Sequence, residues 1–93
     1  MNLKDHYSAV AALGCLACKK DGFGHVEPQL HHPFGRKGEN EWKVIGLCAT
    51  HHISGLNNGL FVSVHPWKKR FHAKYGTATD MLAEVERLLN DNR

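Results

Sequence analysis

The sequence predicts a small α+β domain held together by a metal ion as much as by an apolar core. Length is the first reason. A chain of 93 residues reads as one domain, residues 1–93, near the size at which burial alone leaves stability marginal. Cysteine usage is the second: Cys15, Cys18 and Cys48 cannot all pair within the chain, and a Cys-x-x-Cys step reads better as two thiolate ligands than as a disulfide. The third is patterning. Apolar residues at helical spacing near both ends enclose a middle of short strand-like runs.

Asn2 can cap a first helix running to about Leu13, with Leu3, Tyr7 and Val10 at helical spacing and Gly14 as its stop. This helix reads as a packing element, and His6 on it as a solvated or core histidine. The run from Gly14 to Gly22 then reads as a zinc knuckle, two thiolates on a tight turn able to reach one tetrahedral ion at about 2.3 Å. Phe23 to Leu30 suits a short strand interrupted at Pro28, and it delivers His31-His32-Pro33. Pro33 biases His32 toward extended geometry, so the two imidazoles are expected on different sides of the backbone.

Phe34 to Glu41 is a polar, glycine-containing loop offering Arg36 and Lys37 to phosphates, and Trp42 to Leu47 reads as a second strand. A helix begins at Ala49 or Thr50, with Ile53 and Leu56 expected to seat it on the core before Gly55, Asn57, Asn58 and Gly59 end it. After the apolar run Leu60–Val64, His65-Pro66 opens another helix with proline near its first turn. Trp67, Phe71 and Tyr75 fall at i, i+4, i+8 on it, an aromatic stripe read as core rather than as a base-stacking platform. Lys68, Lys69, Arg70 and Lys74 fill its other faces with no acid among them, which is either a solvated face or a phosphate-binding one. Gly76 closes that helix. Thr77 with Asp80 resembles a capping box, and Leu82, Val85, Leu88 and Leu89 mark the buried face of a last amphipathic helix.

The chain holds three cysteines and eight histidines, and seven of these residues sort into two groups. Cys15, Cys18, Cys48 and His51 form a Cys-x-x-Cys…Cys-x-x-His set that uses every cysteine, a strong signal for a closed structural zinc. Successive helical residues diverge by about 100°, so His51 can turn to the ion that Cys48 holds while His52 looks elsewhere. His52 is then free to form a second site with the His31-His32 pair.

Net charge is +3, unevenly spread. Residues 80–93 carry four acids against two arginines, −2, leaving +5 on the rest. A basic body suits an anionic partner such as nucleic acid. The polar start Met1-Asn2-Leu3-Lys4-Asp5 is no signal peptide and no apolar run reaches membrane-spanning length, so no membrane partner is expected and a reducing cytoplasm is the expected compartment.

The pair His31-His32 followed by Cys48-Ala-Thr-His51-His52 resembles the HNH, or ββα-metal (His-Me finger), nucleases, with histidine where the second cysteine of their last element usually stands. That resemblance implies a ββα-metal core carrying the zinc knuckle, the N-terminal helix and two C-terminal helices. It also implies that His31 and His52 are ligands of a catalytic divalent ion (magnesium, manganese, zinc or nickel) and that His32 is the general base. The position where the superfamily usually has a bracing Asn is Lys43, with Asn40 nearby.

A narrower likeness covers most of the chain. Leu30-His31-His32, Gly46-Leu47-Cys48 with His51-His52, the turn to His65, and Phe71-x-x-Lys74-Tyr75-Gly76-Thr77 with the leucine-rich tail are similar to the phage-encoded RecA-dependent nucleases, the recombination-enhancement family. It implies a DNA endonuclease acting with DNA and a RecA filament, in a bacterial host or phage-infected cell, as a monomer or weak dimer. His65 becomes a third candidate ligand of the catalytic ion, or alternatively the cap of the helix that Pro66 starts. Relatives carry a basic N-terminal extension that contacts DNA, and its absence here implies weaker DNA binding and RecA dependence. From a different class, the alternative is a non-catalytic, zinc-stabilised nucleic-acid-binding or adaptor module, which His32→Ala would separate from a nuclease.

Overall fold

The computed structural model describes residues 2–91. Its elements run α1 (Leu3–Ala12), α2 (Leu16–Lys20), β1 (Gln29–His31), a 3-10 helix (Gly38–Trp42), β2 (Ile45–Leu47), α3 (Ala49–His52), α4 (Lys68–Tyr75) and α5 (Ala78–Asp91). The fold is a small α+β one. Strands β1 and β2 pair antiparallel, with Gln29 opposite Leu47, Leu30 opposite Gly46 and His31 opposite Ile45, and α3 follows β2 after a single residue.

Helix α1 starts where its cap allows: Asn2 Oδ1 accepts from the Asp5 amide at 2.8 Å, and Gly14, at φ +82°, lets the chain turn sharply after Leu13. The Cys15 amide then donates to the Val26 carbonyl at 2.8 Å, and Cys15 Sγ accepts from the Cys18 amide, two bonds that shape the knuckle. Glycine is required at Gly46 for a different reason. A Cβ there would stand 2.7 Å from the Gly14 carbonyl oxygen and 3.0 Å from Pro28 Cβ, so the hairpin packs onto the knuckle only without a side chain.

Strand β2 is buried on both faces, and Ile45 and Leu47 join Val10, Leu13, Leu16, Val44, Val62, Val64, Phe71, Tyr75, Met81 and Val85 in the core. Each such aliphatic side chain stabilises the fold by about 1.5–3 kcal/mol on burial. Helix α5 is closed at its start by a reciprocal cap in which Thr77 Oγ1 accepts from the Asp80 amide and Asp80 Oδ2 from the Thr77 amide. Aspartate does here what glutamate usually does. Met81, fully buried, belongs to the α5 core face together with Val85, while Leu82, Leu88 and Leu89 pack at its margin.

Several expectations are corrected. The strand expected over Phe23–Leu30 is confined to Gln29–His31, because the Val26 carbonyl is spent on the knuckle and Pro28 has no amide to give. Trp42 and Lys43 lie outside β2: residues 38–42 wind into the 3-10 helix, with the Lys43 amide donating to the Asn40 carbonyl. Ile53 and Leu56 do not seat α3, being 57% and 41% exposed. That four-residue helix is held instead by buried His51 and by β2. Proline 66 is not in the first turn of α4, which begins at Lys68 after a turn closed by the Trp67 amide on the Ser63 carbonyl. Trp67 therefore leaves the aromatic stripe and is 43% exposed, its indole N–H donating to the Gly55 carbonyl, while Phe71 and Tyr75 are buried as expected. Among the described residues no helix is long and apolar enough to cross a membrane.

Candidate metal centres

Cys15, Cys18, Cys48 and His51 converge in the core, all four buried, with their ligand atoms within 4.8 Å of one another. His51 Nδ1 stands 3.7, 3.5 and 3.3 Å from the sulfurs of Cys15, Cys18 and Cys48, and the Cys18 and Cys48 sulfurs are 3.6 Å apart. A tetrahedral zinc with bonds near 2.3 Å to sulfur and 2.0 Å to nitrogen has edges of about 3.5–3.8 Å between such ligands. The cluster fits that ion closely. None of the three cysteines is joined in a disulfide. Burial pushes the Cys15 and Cys18 thiols up and pulls His51 down from its ordinary value, so a cation that takes up thiolates relieves an otherwise costly arrangement.

The outer nitrogen of His51 is also provided for. With Nδ1 turned to the sulfurs, Nε2 carries the proton and donates to Tyr75 Oη at 3.1 Å, whose hydroxyl in turn donates to Asp21 Oδ2 at 2.6 Å. Carboxylate, hydroxyl and imidazole thus form a relay that fixes the ring orientation a ligand needs.

The next residue serves another cluster. His31 at the end of β1, His52 at the end of α3 and His65 beyond it bring their rings to 5.2 Å centroid separations on all three sides of a triangle, with ligand nitrogens within 4.8 Å. His65 reaches this place because the Val64 and His65 amides donate to the His51 and His52 carbonyls, laying its segment along α3. It does not cap α4, whose capping position is Trp67 with no side-chain cap bond. His31 Nε2 is buried with no hydrogen-bond partner, an orphaned nitrogen of the kind a metal ion satisfies. His52 Nδ1 donates to Gln29 Oε1 at 2.9 Å, which leaves Nε2 with its lone pair. Burial, and then the neighbouring His52 and His65, hold His31 down to about 4, and burial followed by His65 lowers His52 as well. Imidazoles held this close can share a cation far more readily than a second proton.

His32 stands apart from this triangle, as alternation predicts. It is half-buried, its Nε2 is 2.9 Å from Tyr7 Oη, and burial followed by the Arg36 cation lowers it from its ordinary value while the Glu41 carbonyl opposes them. Arg36 and Lys37 are exposed just beyond it, and Lys68, Lys69 and Arg70 are exposed at the start of α4. Among the described residues none of these five has an acid within ion-pair distance. Lys74 differs, since its ammonium donates to the Leu60 carbonyl at 2.9 Å and lies 4.0 Å from Asp21. The Asn40 side chain donates a long 3.4 Å bond to the Phe34 carbonyl, and Lys43 sits over the Phe34 ring, so neither side chain is engaged with the histidines. The sequence marked Tyr7 and Tyr75 only as packing residues and gave no sign of Gln29 and Asp21, because the polar contact each makes acts across a long loop.

The sequence model of the family described as recombination enhancement, RecA-dependent nuclease, matches residues 2–90. The chain belongs to that family. The match spans both clusters and the cationic start of α4, and the family's name is that of a nuclease in RecA-dependent recombination enhancement. No curated protein matches the sequence significantly.

Proposed function

We propose that this member of the family is a metal-dependent DNA endonuclease of the HNH type, its β1–β2 hairpin and α3 forming a ββα-metal core. One observation carries the reading. Three imidazoles, those of His31, His52 and His65, converge on a single point, while a fourth, His32, adjoins them on the chain without joining them. A zinc-stabilised binding module needs only the thiolate cluster. A divalent ion held by His31, His52 and His65 would supply Lewis-acid stabilisation to charge growing on the scissile phosphate and the departing 3′ oxygen.

The chain's own residues do the rest. His32 takes a proton from the attacking water, acting as general base in its neutral form. Arg36, Lys37, Lys68, Lys69 and Arg70 hold the flanking phosphates by charge, positioning the backbone without reading its sequence. Lys74 was a sixth candidate for that role; its bond to the Leu60 carbonyl favours a part in the fold instead. An all-imidazole ligand set suits zinc, nickel or manganese better than magnesium. The thiolate site, closed by four protein ligands, carries structural zinc and no chemistry.

Incubating the protein with supercoiled plasmid and each of magnesium, manganese, zinc and nickel, with and without a RecA filament, tests this. Nicking by the wild type and none by His32→Ala of equal zinc content supports the nuclease. Failure to cut with any metal would leave the zinc-stabilised binding module as the function.

A further inference from the structure

Tyr7 reaches from α1 across to the hairpin loop. Its hydroxyl makes two contacts of 2.9 Å, to the Glu41 backbone carbonyl and to His32 Nε2, with its ring edge-on to the imidazole at 80° and 5.6 Å between centroids. The donors and acceptors allow one arrangement. A carbonyl oxygen only accepts, so the single tyrosine proton goes to Glu41. The Tyr7 oxygen is then the acceptor for His32, and Nε2 must be the nitrogen that carries hydrogen. The lone pair is left on Nδ1, on the other side of the ring from the tyrosine.

We infer that Tyr7 is the positioning residue of the catalytic base, fixing the His32 tautomer so that Nδ1 is the atom that accepts the proton from water. This rests on the nuclease reading of His32. The relay Glu41 carbonyl–Tyr7 hydroxyl–His32 Nε2 also ties the two limbs of the hairpin together, since His32 follows β1 and Glu41 lies in the 3-10 helix before β2. Lys43 and Asn40 make no such contact. A base held by a fixed outer bond keeps its lone pair aimed, as in other catalytic histidines whose second nitrogen is committed to a partner.

The test uses zinc-loaded Tyr7→Phe, which removes the hydroxyl and keeps the ring. We expect kcat for plasmid nicking to fall about ten-fold or more, a fraction of the ~10²–10⁴-fold a general base supplies, with KM changed less than about two-fold and zinc content unchanged. In long-range ¹H–¹⁵N spectra at pH 8 the wild type should show a protected His32 Nε2–H that exchanges rapidly in the variant. Wild-type kcat in Tyr7→Phe, or a His32 proton on Nδ1 in the wild type, would overturn the inference even if His32→Ala is dead and the nuclease reading stands. A variant that loses zinc is replaced by the spectrum of the wild type alone, which decides the tautomer. A wild type that cuts no DNA with any metal overturns both.

Discussion

His51 and His52 are consecutive residues whose imidazoles belong to two different clusters: His51 Nδ1 lies 3.3 Å from Cys48 Sγ, while His52 Nδ1 donates to Gln29 Oε1 at 2.9 Å. One turn of helix therefore joins the thiolate cluster to the proposed catalytic one, and the two can be separated by substitution.

His51→Ala should unfold the protein, whereas His52→Ala should leave it folded. Zinc ligation of a closed site contributes on the order of 10 kcal/mol to small domains, and His51 is fully buried among the sulfurs. His52 is partly exposed and its loss should change stability by about 1 kcal/mol or less, in the range of an ordinary substitution. Cleavage by His52→Ala should nevertheless fall by at least about 100-fold, since a catalytic ion would keep only two imidazoles. Thermal unfolding by circular dichroism, bound zinc by atomic absorption and plasmid nicking check the three parts. A stable, zinc-replete His51→Ala would contradict the assignment.

Chelation at neutral pH should reproduce the His51→Ala result on the wild type. Stripped of zinc, the knuckle has little beyond backbone bonds such as that from Cys15 to Val26 to hold it, with buried thiols and an imidazole left facing one another. A core this small does not offset the loss. Cooperative unfolding at room temperature after removal of one equivalent of zinc, reversed by adding it back, is the expected outcome. An unchanged spectrum would show that the core alone suffices.

Tyr75→Phe probes the relay behind the structural site. The change keeps the ring in the core and deletes the hydroxyl between His51 and Asp21. It leaves a buried imidazole N–H without its partner, a cost of about 1–3 kcal/mol, and outer-shell losses of this kind weaken metal binding by about 10–100-fold. Competition against a zinc-binding dye, with the melting temperature, measures both. Equal affinity in the two proteins would mean that Asp21, 3.5 Å from His51 Nε2, takes over directly.

What was legible in the sequence follows the range over which each interaction acts. The thiolate cluster could be read because its halves are local steps of fixed spacing, Cys15-x-x-Cys18 and Cys48-x-x-His51. Helices α1 and α5 could be read from cap and period. Tyr7 and His32, 25 residues apart, and Tyr75 and Asp21, 54 apart, have no such local pattern, and only the packing of α1 and α4 brings them together. Ile53 and Leu56 misled because apolar residues after a helix start suggest core packing, whereas this helix is seated by buried His51 and by β2. Trp67 misled for a related reason: its period matched Phe71 and Tyr75, but the turn at Ser63–Trp67 ends before the helix begins.

That turn also sets where the cations of α4 begin. Lys68, Lys69 and Arg70 project from the first turn of α4, beginning three residues beyond His65, and are free of ion-pair partners among the described residues. Lys74, one turn on, is tied to the Leu60 carbonyl and stands near Asp21. Removing the first three together should weaken binding to any DNA sequence alike and lower the slope of log affinity against log salt by about 0.9 for each phosphate no longer neutralised. Lys74→Ala should instead lower the melting temperature through the loosened 53–62 loop, with the salt slope unchanged. Fluorescence anisotropy on a labelled duplex across a salt series, beside thermal melts, distinguishes them. A salt slope that falls for Lys74→Ala and holds for the triple variant would place the phosphate-binding cations on the other face of α4.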